Sequence, residues 1–292
     1  MLWIVFTLIA ILLWTVDNIM DKFILDHEVR DPILVTTVFC FTTYLLFIMF
    51  AALSGPIALP IKMLMIALAS GLVYSVALGL YYYAMSGEEV SRFIPILSID
   101  PLIIAVAAFF LFRERLALLS YLGIILIIAG AILIAHKQYG NKAKARKFFI
   151  IAFGAMILFS LRNILFKYMT ESAEFWPTMF WFAVGGLIVP VVLLILHHPH
   201  IRQKAEKGIA HLLLVALFSA VGLIFFLKAI SLGSVSLSSA LVAGKPMLVF
   251  LVATFLSFFY PKIIVEAHSK KVLIKKAIAI GLIVLGGVFV VL

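Results

Sequence analysis

Ten runs of apolar residues, each close to 20 residues long, follow one another along this chain with short connections between them. A helix needs about 20 apolar residues to cross the hydrocarbon core of a bilayer, whereas the strands of a membrane barrel alternate apolar and polar residues. Hydrophobic residues make up 65% of the chain and charged residues 12%, which is about half the charged share of an average soluble domain. We therefore predict an all-α integral membrane protein with ten transmembrane helices. The predicted spans are 2–20, 33–53, 64–85, 91–112, 116–135, 148–168, 175–196, 209–231, 234–258 and 274–291.

A pattern of polar residues recurs at an interval of 145 residues. Asp100–Pro101 in the fourth run matches Lys245–Pro246 in the ninth, and Asp17–Asn18 in the first matches Arg162–Asn163 in the sixth. This common interval predicts an internal duplication. Each copy has an odd number of spans, so the second copy must enter the membrane in the opposite orientation. The predicted units are a first five-helix repeat at 1–135, a basic linker at 136–147 and a second, inverted repeat at 148–292.

Polar residues inside the predicted spans point to a central binding site. Inverted repeats are typical of secondary transporters, which bind their substrate near the bilayer midplane where the repeats meet. A charge at that depth costs about 2.5–3.5 kcal/mol on insertion scales, so it is expected to face the bundle interior. Two of the prolines are expected to break their helices, because each removes a backbone donor. The predicted substrate- or ion-binding residues are Asp17, Asn18, Tyr83, Asp100, Arg162, Asn163, Lys228 and Lys245, and the predicted helix breaks are Pro101 and Pro246.

The charges in this set favour an anionic or zwitterionic ligand. Two carboxylates would face three cations, and an arginine suits the bidentate binding of a carboxylate or phosphate. The alternative for Asp100 and Lys245 is a buried ion pair that only docks the two halves. Asn18 and Asn163 could instead bond between helices, and Tyr83 could pack as an aromatic anchor.

Three motifs together resemble a known family. They are Trp14 in the first span, the turn Phe112–Arg115 after the fourth, and the polar-proline segments Ser98–Pro101 and Gly244–Pro246. With two five-helix repeats, this arrangement resembles the ten-helix, EamA-like members of the drug/metabolite transporter superfamily over nearly the whole chain. The resemblance implies an exporter or exchanger of small metabolites that is not an enzyme. In four-helix multidrug relatives an essential glutamate stands at the position of Trp14, and the nearest carboxylate here is Asp17.

The expected partners and surroundings follow from the same features. Most lysines and arginines fall in connections after odd-numbered spans, which places those connections in the cytoplasm by the positive-inside rule. We expect a protein of the cell membrane of a prokaryote, a monomer or homodimer, with a small-molecule substrate and a coupled proton or counter-substrate. No nucleic-acid partner, cofactor, metal or catalytic residue is expected. The alternatives left open are a cation or drug exporter, a channel, and a membrane-embedded enzyme that acts on a lipid or prenyl phosphate.

Overall fold

A computed structural model describes residues 2–87, 96–135, 142–197, 206–259 and 270–292. All regular secondary structure in these ranges is helical, which confirms the all-α prediction. The helices are α1 (Leu2–Phe23), a π-helical turn (Ile24–Glu28), α2 (Pro32–Ser54), α3 (Ile61–Gly87), α4 (Asp100–Leu111), α5 (Leu118–Ala135), α6 (Lys142–Thr170), α7 (Phe175–Gly186), α8 (Ile188–His197), α9 (Glu206–Leu232), α10 (Val235–Ala243), α11 (Lys245–Phe259) and α12 (Lys270–Val291).

Six helical stretches are long and apolar enough to cross a membrane. They correspond to predicted spans one to three and six to eight. Four shorter apolar helices occupy the positions of spans four, five, nine and ten. The prediction of an integral membrane protein with several helical spans is therefore confirmed. The six long stretches are Leu2–Glu28, Pro32–Ser54, Ile61–Ser86, Lys147–Thr170, Phe175–Leu196 and Gly208–Leu232.

Spans four and nine are each interrupted at the same point. In span four a turn at Ser98–Ile99 precedes α4, which begins at Asp100 with Pro101 in its first turn. In span nine α10 ends at Ala243, and α11 begins with Lys245–Pro246. Proline fits the first turn of a helix because its missing N–H would have no partner there. Asp100 and Lys245 thus stand at the starts of two half-helices in the interior of their spans.

Two further irregularities differ from the sequence prediction. Span seven, predicted as one helix, is divided at Leu187 into α7 and α8. The predicted linker at 136–147 is partly helical, because α6 already begins at Lys142. Its Lys-Ala-Lys-Ala-Arg-Lys sequence consists of strong helix formers, which explains the early start. Residues 136–141 of that linker lie outside the described residues, as do residues 91–95 at the start of predicted span four.

Helices of the two halves pack on each other in matched pairs. Helix α1 packs along α9, and α6, which lies about 145 residues after α1 in the sequence, packs along α3. Helix α2 contacts α7, α4 contacts α10, and α5 contacts α12. Two of these contacts bring backbones together through glycine, as is common where membrane helices pack closely. Gly71 of α3 lies against Phe182 and Gly186 of α7, and Gly123 of α5 lies against Gly286 of α12.

The turn after α4 is tied to the second half of the chain by Glu114. Its Oε1 accepts a hydrogen bond from the Val235 N–H (3.1 Å), and its Oε2 accepts from the hydroxyls of Ser234 (2.9 Å) and Ser236 (2.7 Å). A carboxylate at a helix N-terminus also interacts favourably with the helix dipole. Glu114 therefore holds the first turn of α10, the helix that leads to Lys245.

Candidate functional site

A cavity lined by charged, polar and aromatic side chains lies between the two halves, in the interior of the helix bundle. Its empty volume is about 810 Å³, a figure that includes open solvent at its mouth. Spans one, three and four contribute its walls on one side, and spans six, eight and nine on the other. The charged residues that line it are Asp17, Asp21, Asp100, Arg162 and Lys245, and the aromatic ones are Trp14, Tyr74, Tyr81, Tyr82, Phe159 and Phe226.

The structure brings together six of the eight predicted binding residues. These six line the cavity, and the two prolines are buried beside it, where they set the helix breaks. Asp100 and Lys245 approach from opposite halves, at the starts of α4 and α11. The six residues are Asp17, Asn18, Asp100, Arg162, Asn163 and Lys245.

Tyr83 and Lys228 lie outside the cavity, which corrects the sequence prediction. Successive residues of a helix turn by about 100°, and Tyr81 and Tyr82 take the inward directions. Tyr83 is therefore turned outward and is 46% exposed, and its hydroxyl accepts a hydrogen bond from Lys147 Nζ at 3.1 Å. The Lys228 Nζ lies 4.7 Å from the ring centre of Phe175, in a cation–π contact away from the cavity.

The first half contributes a wall rich in hydrogen-bond acceptors. Asp17 Oδ2 accepts from the Ser219 hydroxyl at 3.2 Å, and its Oδ1 has no hydrogen-bond partner among the described residues. Asn18 donates its amide to the Tyr81 hydroxyl at 3.2 Å, and its Oδ1 also lacks a partner in the described part of the chain. All four of these side chains are buried. Two acceptor oxygens thus remain available at the cavity wall.

Asp21 is a cavity residue that the sequence interpretation missed. It is 1% exposed and lies one helical turn after Asp17, on the same face of α1. The Tyr82 hydroxyl lies 3.3 Å from its Oδ1 and 3.2 Å from its Oδ2 and donates to the carboxylate. The four-residue spacing from Asp17 was the signal that could have identified it.

The second half contributes a wall of positive charge. Arg162 is 4% exposed, and its guanidinium carbon lies 4.6 Å from the ring centre of Tyr74 and 5.8 Å from that of Phe226. Its Nε and Nη1 have no hydrogen-bond partner among the described residues. Lys245 Nζ lies 5.6 Å from the ring centre of Trp14. The cation–π contacts position Arg162 and Lys245 without using all of the N–H donors of these two side chains.

The net charge of the lining differs in sign from the sequence prediction. Asp21 joins the site and Lys228 leaves it, so three carboxyl groups face two basic groups, and the formal charge of the lining is −1 when all five groups are ionised. The ion pairs of the described residues join Lys22 to Asp26, Lys167 to Glu171, and His211 to Glu28. None of these pairs involves a charge of the cavity, so Asp100 and Lys245 do not form the docking ion pair that the sequence left open.

Matched positions of the two halves line the same cavity. Each of eight lining residues in the first half has a counterpart 145 positions later that is also in the lining. At two of these pairs the charge is reversed. The pairs are Trp14 and Phe159, Asp17 and Arg162, Asn18 and Asn163, Tyr74 and Ser219, Tyr81 and Phe226, Leu97 and Val242, Ser98 and Ala243, and Asp100 and Lys245.

A bundle of apolar helices around a central cavity that contains buried charges, with broken helices beside it, is typical of membrane transporters. Residues 1–136 match the sequence profile of the EamA-like transporter family. This part of the chain is therefore an EamA-like domain of the drug/metabolite transporter superfamily, as the motifs suggested. No curated protein matches the chain significantly.

The solved structures agree on the fold. Significant matches number 28 chains. One of them, described only as "Crystal structure of protein", superposes with a TM-score of 0.72 at 21% sequence identity and covers 98% of this chain and 94% of that chain. At this level of identity the similarity establishes the common fold over nearly the whole chain, including the half beyond residue 136.

Proposed function

We propose that the protein is a secondary active transporter, an exporter or exchanger, that moves a small anionic or zwitterionic metabolite by alternating access. The observation that carries the proposal is Arg162. A buried guanidinium with two unpartnered nitrogen atoms, Nε and Nη1, at a cavity wall is costly unless a ligand completes its hydrogen bonds. A carboxylate fits its planar fork in a bidentate manner. Arg162 is therefore proposed to bind the anionic group of the substrate.

The two halves are proposed to act as inverted repeats, at 1–135 and 148–292. Two features support this assignment. The helix contacts are symmetric between the halves, since α1 of the first half packs on α9 of the second, and α6 of the second half packs on α3 of the first. Residues that lie 145 positions apart also line the same cavity. Ten spans divided into five and five require opposite orientations of the two copies. Rocking of one repeat against the other around a shared site would expose that site to each side in turn.

The polarity of the cavity favours a substrate that carries both charges. Donors from Arg162 and Lys245 occupy the second-half wall, and acceptors from Asp17 and Asn18 occupy the first-half wall. A zwitterion would place its carboxylate at Arg162 and Lys245 and its ammonium group at Asp17 and Asn18. A simple anion would satisfy only the second-half wall. Zwitterionic metabolites are therefore the preferred class.

A thermal-shift screen of the purified protein in detergent tests this proposal, because a ligand that binds the folded state raises its apparent stability. The probes are L-amino acids as zwitterions, dicarboxylates and sugar phosphates as anions, and tetraphenylphosphonium as an organic cation. We expect a zwitterion or an anion to stabilise the wild type. That stabilisation should be lost in Arg162→Met and kept in Lys228→Met. The second variant is a matched control, because it also removes a positive charge within a span but outside the cavity.

The cation or drug exporter is the second candidate, and the formal negative charge of the lining favours it. If only tetraphenylphosphonium stabilises the protein, and Arg162→Met leaves that effect unchanged, the anionic or zwitterionic assignment is wrong and this candidate replaces it. A ligand identified in the screen is then tested by counterflow in proteoliposomes. In this assay labelled ligand outside the vesicles exchanges with unlabelled ligand inside. Absence of counterflow would contradict transport of that ligand.

A further inference from the structure

We propose that the substrate passes between the central cavity and the end of the bundle where α10 begins over the hydroxyls of Ser238 and Ser239, and that Glu114 holds this path closed. The inference rests on the proposed transport function and extends it to one route and the gate of that route. It assigns a role to two buried serines that do not line the cavity.

The hydroxyls of Ser238 and Ser239 are buried without a hydrogen-bond partner. Their side chains are 0% and 1% exposed, and neither hydroxyl is bonded within the described part of the chain. A buried hydroxyl in this state is unfavourable, so a polar group that passes along the helix would be bound there. The two other buried hydroxyls of this kind, in Thr43 and Ser70, stand singly on α2 and α3.

Most helical hydroxyls of this protein are arranged differently. A serine or threonine within a helix often donates to the carbonyl four residues earlier, and this local bond leaves nothing for a ligand to satisfy. Two adjacent hydroxyls that both lack it are therefore an exception on α10. The buried residues that do form the local bond are Thr7, Thr15, Thr36, Thr37, Ser160 and Thr178.

The two serines continue the cavity wall along α10. Residues four apart lie on the same face of a helix. Ser238 stands one turn before Val242, and Ser239 stands one turn before Ala243, and these two later residues are the part of α10 that lines the cavity. On the face opposite Ser238, Ala240 belongs to an apolar cluster of buried residues. The hydroxyls therefore lie one turn beyond the cavity lining, on its side of the helix.

Hydroxyl groups suit the passage of a zwitterion or an anion. Each can donate one hydrogen bond and accept others, so the same pair can bind a carboxylate and then an ammonium group. A hydroxyl also carries no charge, and it holds an ion less tightly than Arg162 would. Groups along a path must bind well enough to admit an ion and weakly enough to release it.

Glu114 closes this path by fastening the start of α10 to the turn after α4. Its three hydrogen bonds go to Ser234, Val235 and Ser236. The first two of these residues stand one turn before the two serines of the path, so the carboxylate covers the same side of the helix. Arg113, next to Glu114, has a φ of 55°, which residues with a side chain rarely adopt. Such backbone strain is often found at functional sites.

The amino-acid sequence places this gate at one end of the bundle only. The positions 145 residues before the two serines hold Phe93 and Ile94, and the position 145 residues after Glu114 holds Phe259. None of these three side chains can form hydrogen bonds of the same kind. We therefore expect the gate at the end where α10 begins, which is the non-cytoplasmic end by the positive-inside rule.

Thiol accessibility in the full chain tests the gate without knowledge of the substrate. Cys40→Ala removes the single native cysteine, and Ser238→Cys then places one thiol on the proposed path. The probe is 2-sulfonatoethyl methanethiosulfonate, a small anion that forms a disulfide with a water-accessible thiolate and releases methanesulfinate. Lipid nanodiscs leave both faces of the membrane open to this probe, and mass spectrometry measures the labelled fraction over time.

The Ser238→Cys thiol should react slowly while Glu114 is present and about tenfold faster in Glu114→Ala, which corresponds to a closed state that is less stable by about 1.4 kcal/mol. Glu114→Gln keeps the size of the side chain and should give a smaller increase; it replaces Glu114→Ala if that variant does not fold. Ala240→Cys is the matched control. It is fully buried on the opposite face of the same helix and should stay unlabelled in every background.

The remaining outcomes overturn the inference. A Ser238→Cys thiol that stays unlabelled without Glu114 excludes the path, and equal labelling rates with and without Glu114 exclude the gate. Labelling of Ala240→Cys as fast as that of Ser238→Cys would show that Glu114 only keeps α10 folded. The proposed function fails separately, if neither a zwitterion nor an anion stabilises the protein in the thermal-shift screen, because the labelling assay requires no substrate.

Discussion

Replacement of Gly71 by alanine should separate the two halves where α3 meets α7. A Cβ atom at Gly71 would lie 1.8 Å from the carbonyl oxygen of Phe182 and 2.6 Å from the Gly186 nitrogen. Carbon and neighbouring heavy atoms prefer separations of about 3.5 Å, so the helices would have to part by roughly 1.5 Å. Both clashing atoms belong to backbone and have no rotamer that could relieve the contact. The hydrogen bond from the Ser75 hydroxyl to the Gly186 carbonyl, 2.7 Å long, would also be lengthened.

The expected cost follows from two opposing effects. Overpacking typically costs about 1–3 kcal/mol, and a backbone clash belongs at the upper end of that range. Alanine recovers about 1 kcal/mol of helix propensity relative to glycine. The net destabilisation is therefore about 2 kcal/mol, which corresponds to a Tm lower by roughly 4–8 °C.

The assay and its control are both available within the chain. Cys40 is the single cysteine and is fully buried in α2, so a thiol-reactive fluorescent maleimide reports unfolding on heating. Gly79→Ala, on the same helix, is the matched control, because its nearest neighbour would be 3.9 Å away. We expect that control to keep or slightly raise the Tm. Equal Tm values for Gly71→Ala and the wild type would refute the backbone contact between α3 and α7.

Two further predictions test other parts of the structure. Glu114→Ala should lower the free energy of unfolding by about 2 kcal/mol, and with it the Tm, because hydrogen bonds to charged groups contribute about 1.5–3 kcal/mol and this residue is only partly buried. The Tm of Glu114→Gln should lie between those of the wild type and Glu114→Ala. An unchanged Tm of Glu114→Ala in the maleimide assay would show that the turn after α4 does not hold α10. Tyr83→Phe should leave the ligand-induced stabilisation unchanged, because the Tyr83 hydroxyl contacts Lys147 outside the cavity. A smaller thermal shift for this variant than for the wild type would contradict this prediction and place Tyr83 at the site.

The central part of the site could be predicted from sequence because a charge within an apolar span has few explanations. Asp17, Asp100, Arg162 and Lys245 stand out against their neighbours, and membrane energetics direct such side chains to the interior. The same reasoning failed for Lys228. Its long side chain reaches the ring of Phe175, and that cation–π contact satisfies the charge without the cavity.

The aromatic and backbone parts of the site could not be predicted in this way. The three consecutive tyrosines at 81–83 are identical in hydrophobicity, so the sequence does not show which of them face inward. Only the rotation of α3 against its neighbours decides that two of them do. The role of Glu114 was also hidden. Its partners, Ser234–Ser236, lie more than a hundred residues away in the chain, and no local pattern connects them.

The sequence by itself determined the class of this protein and the positions of its apolar helices, and it contains the 145-residue interval between matched polar residues. These properties depend on local composition, since a helix must be long and apolar to cross a bilayer and each charge within it is costly. The tertiary structure alone decided the sign of the cavity's net charge. That sign depends on whether Asp21 and Lys228 face inward, and their direction is set by how α1 and α9 pack against the rest of the bundle, which the composition of either helix does not specify.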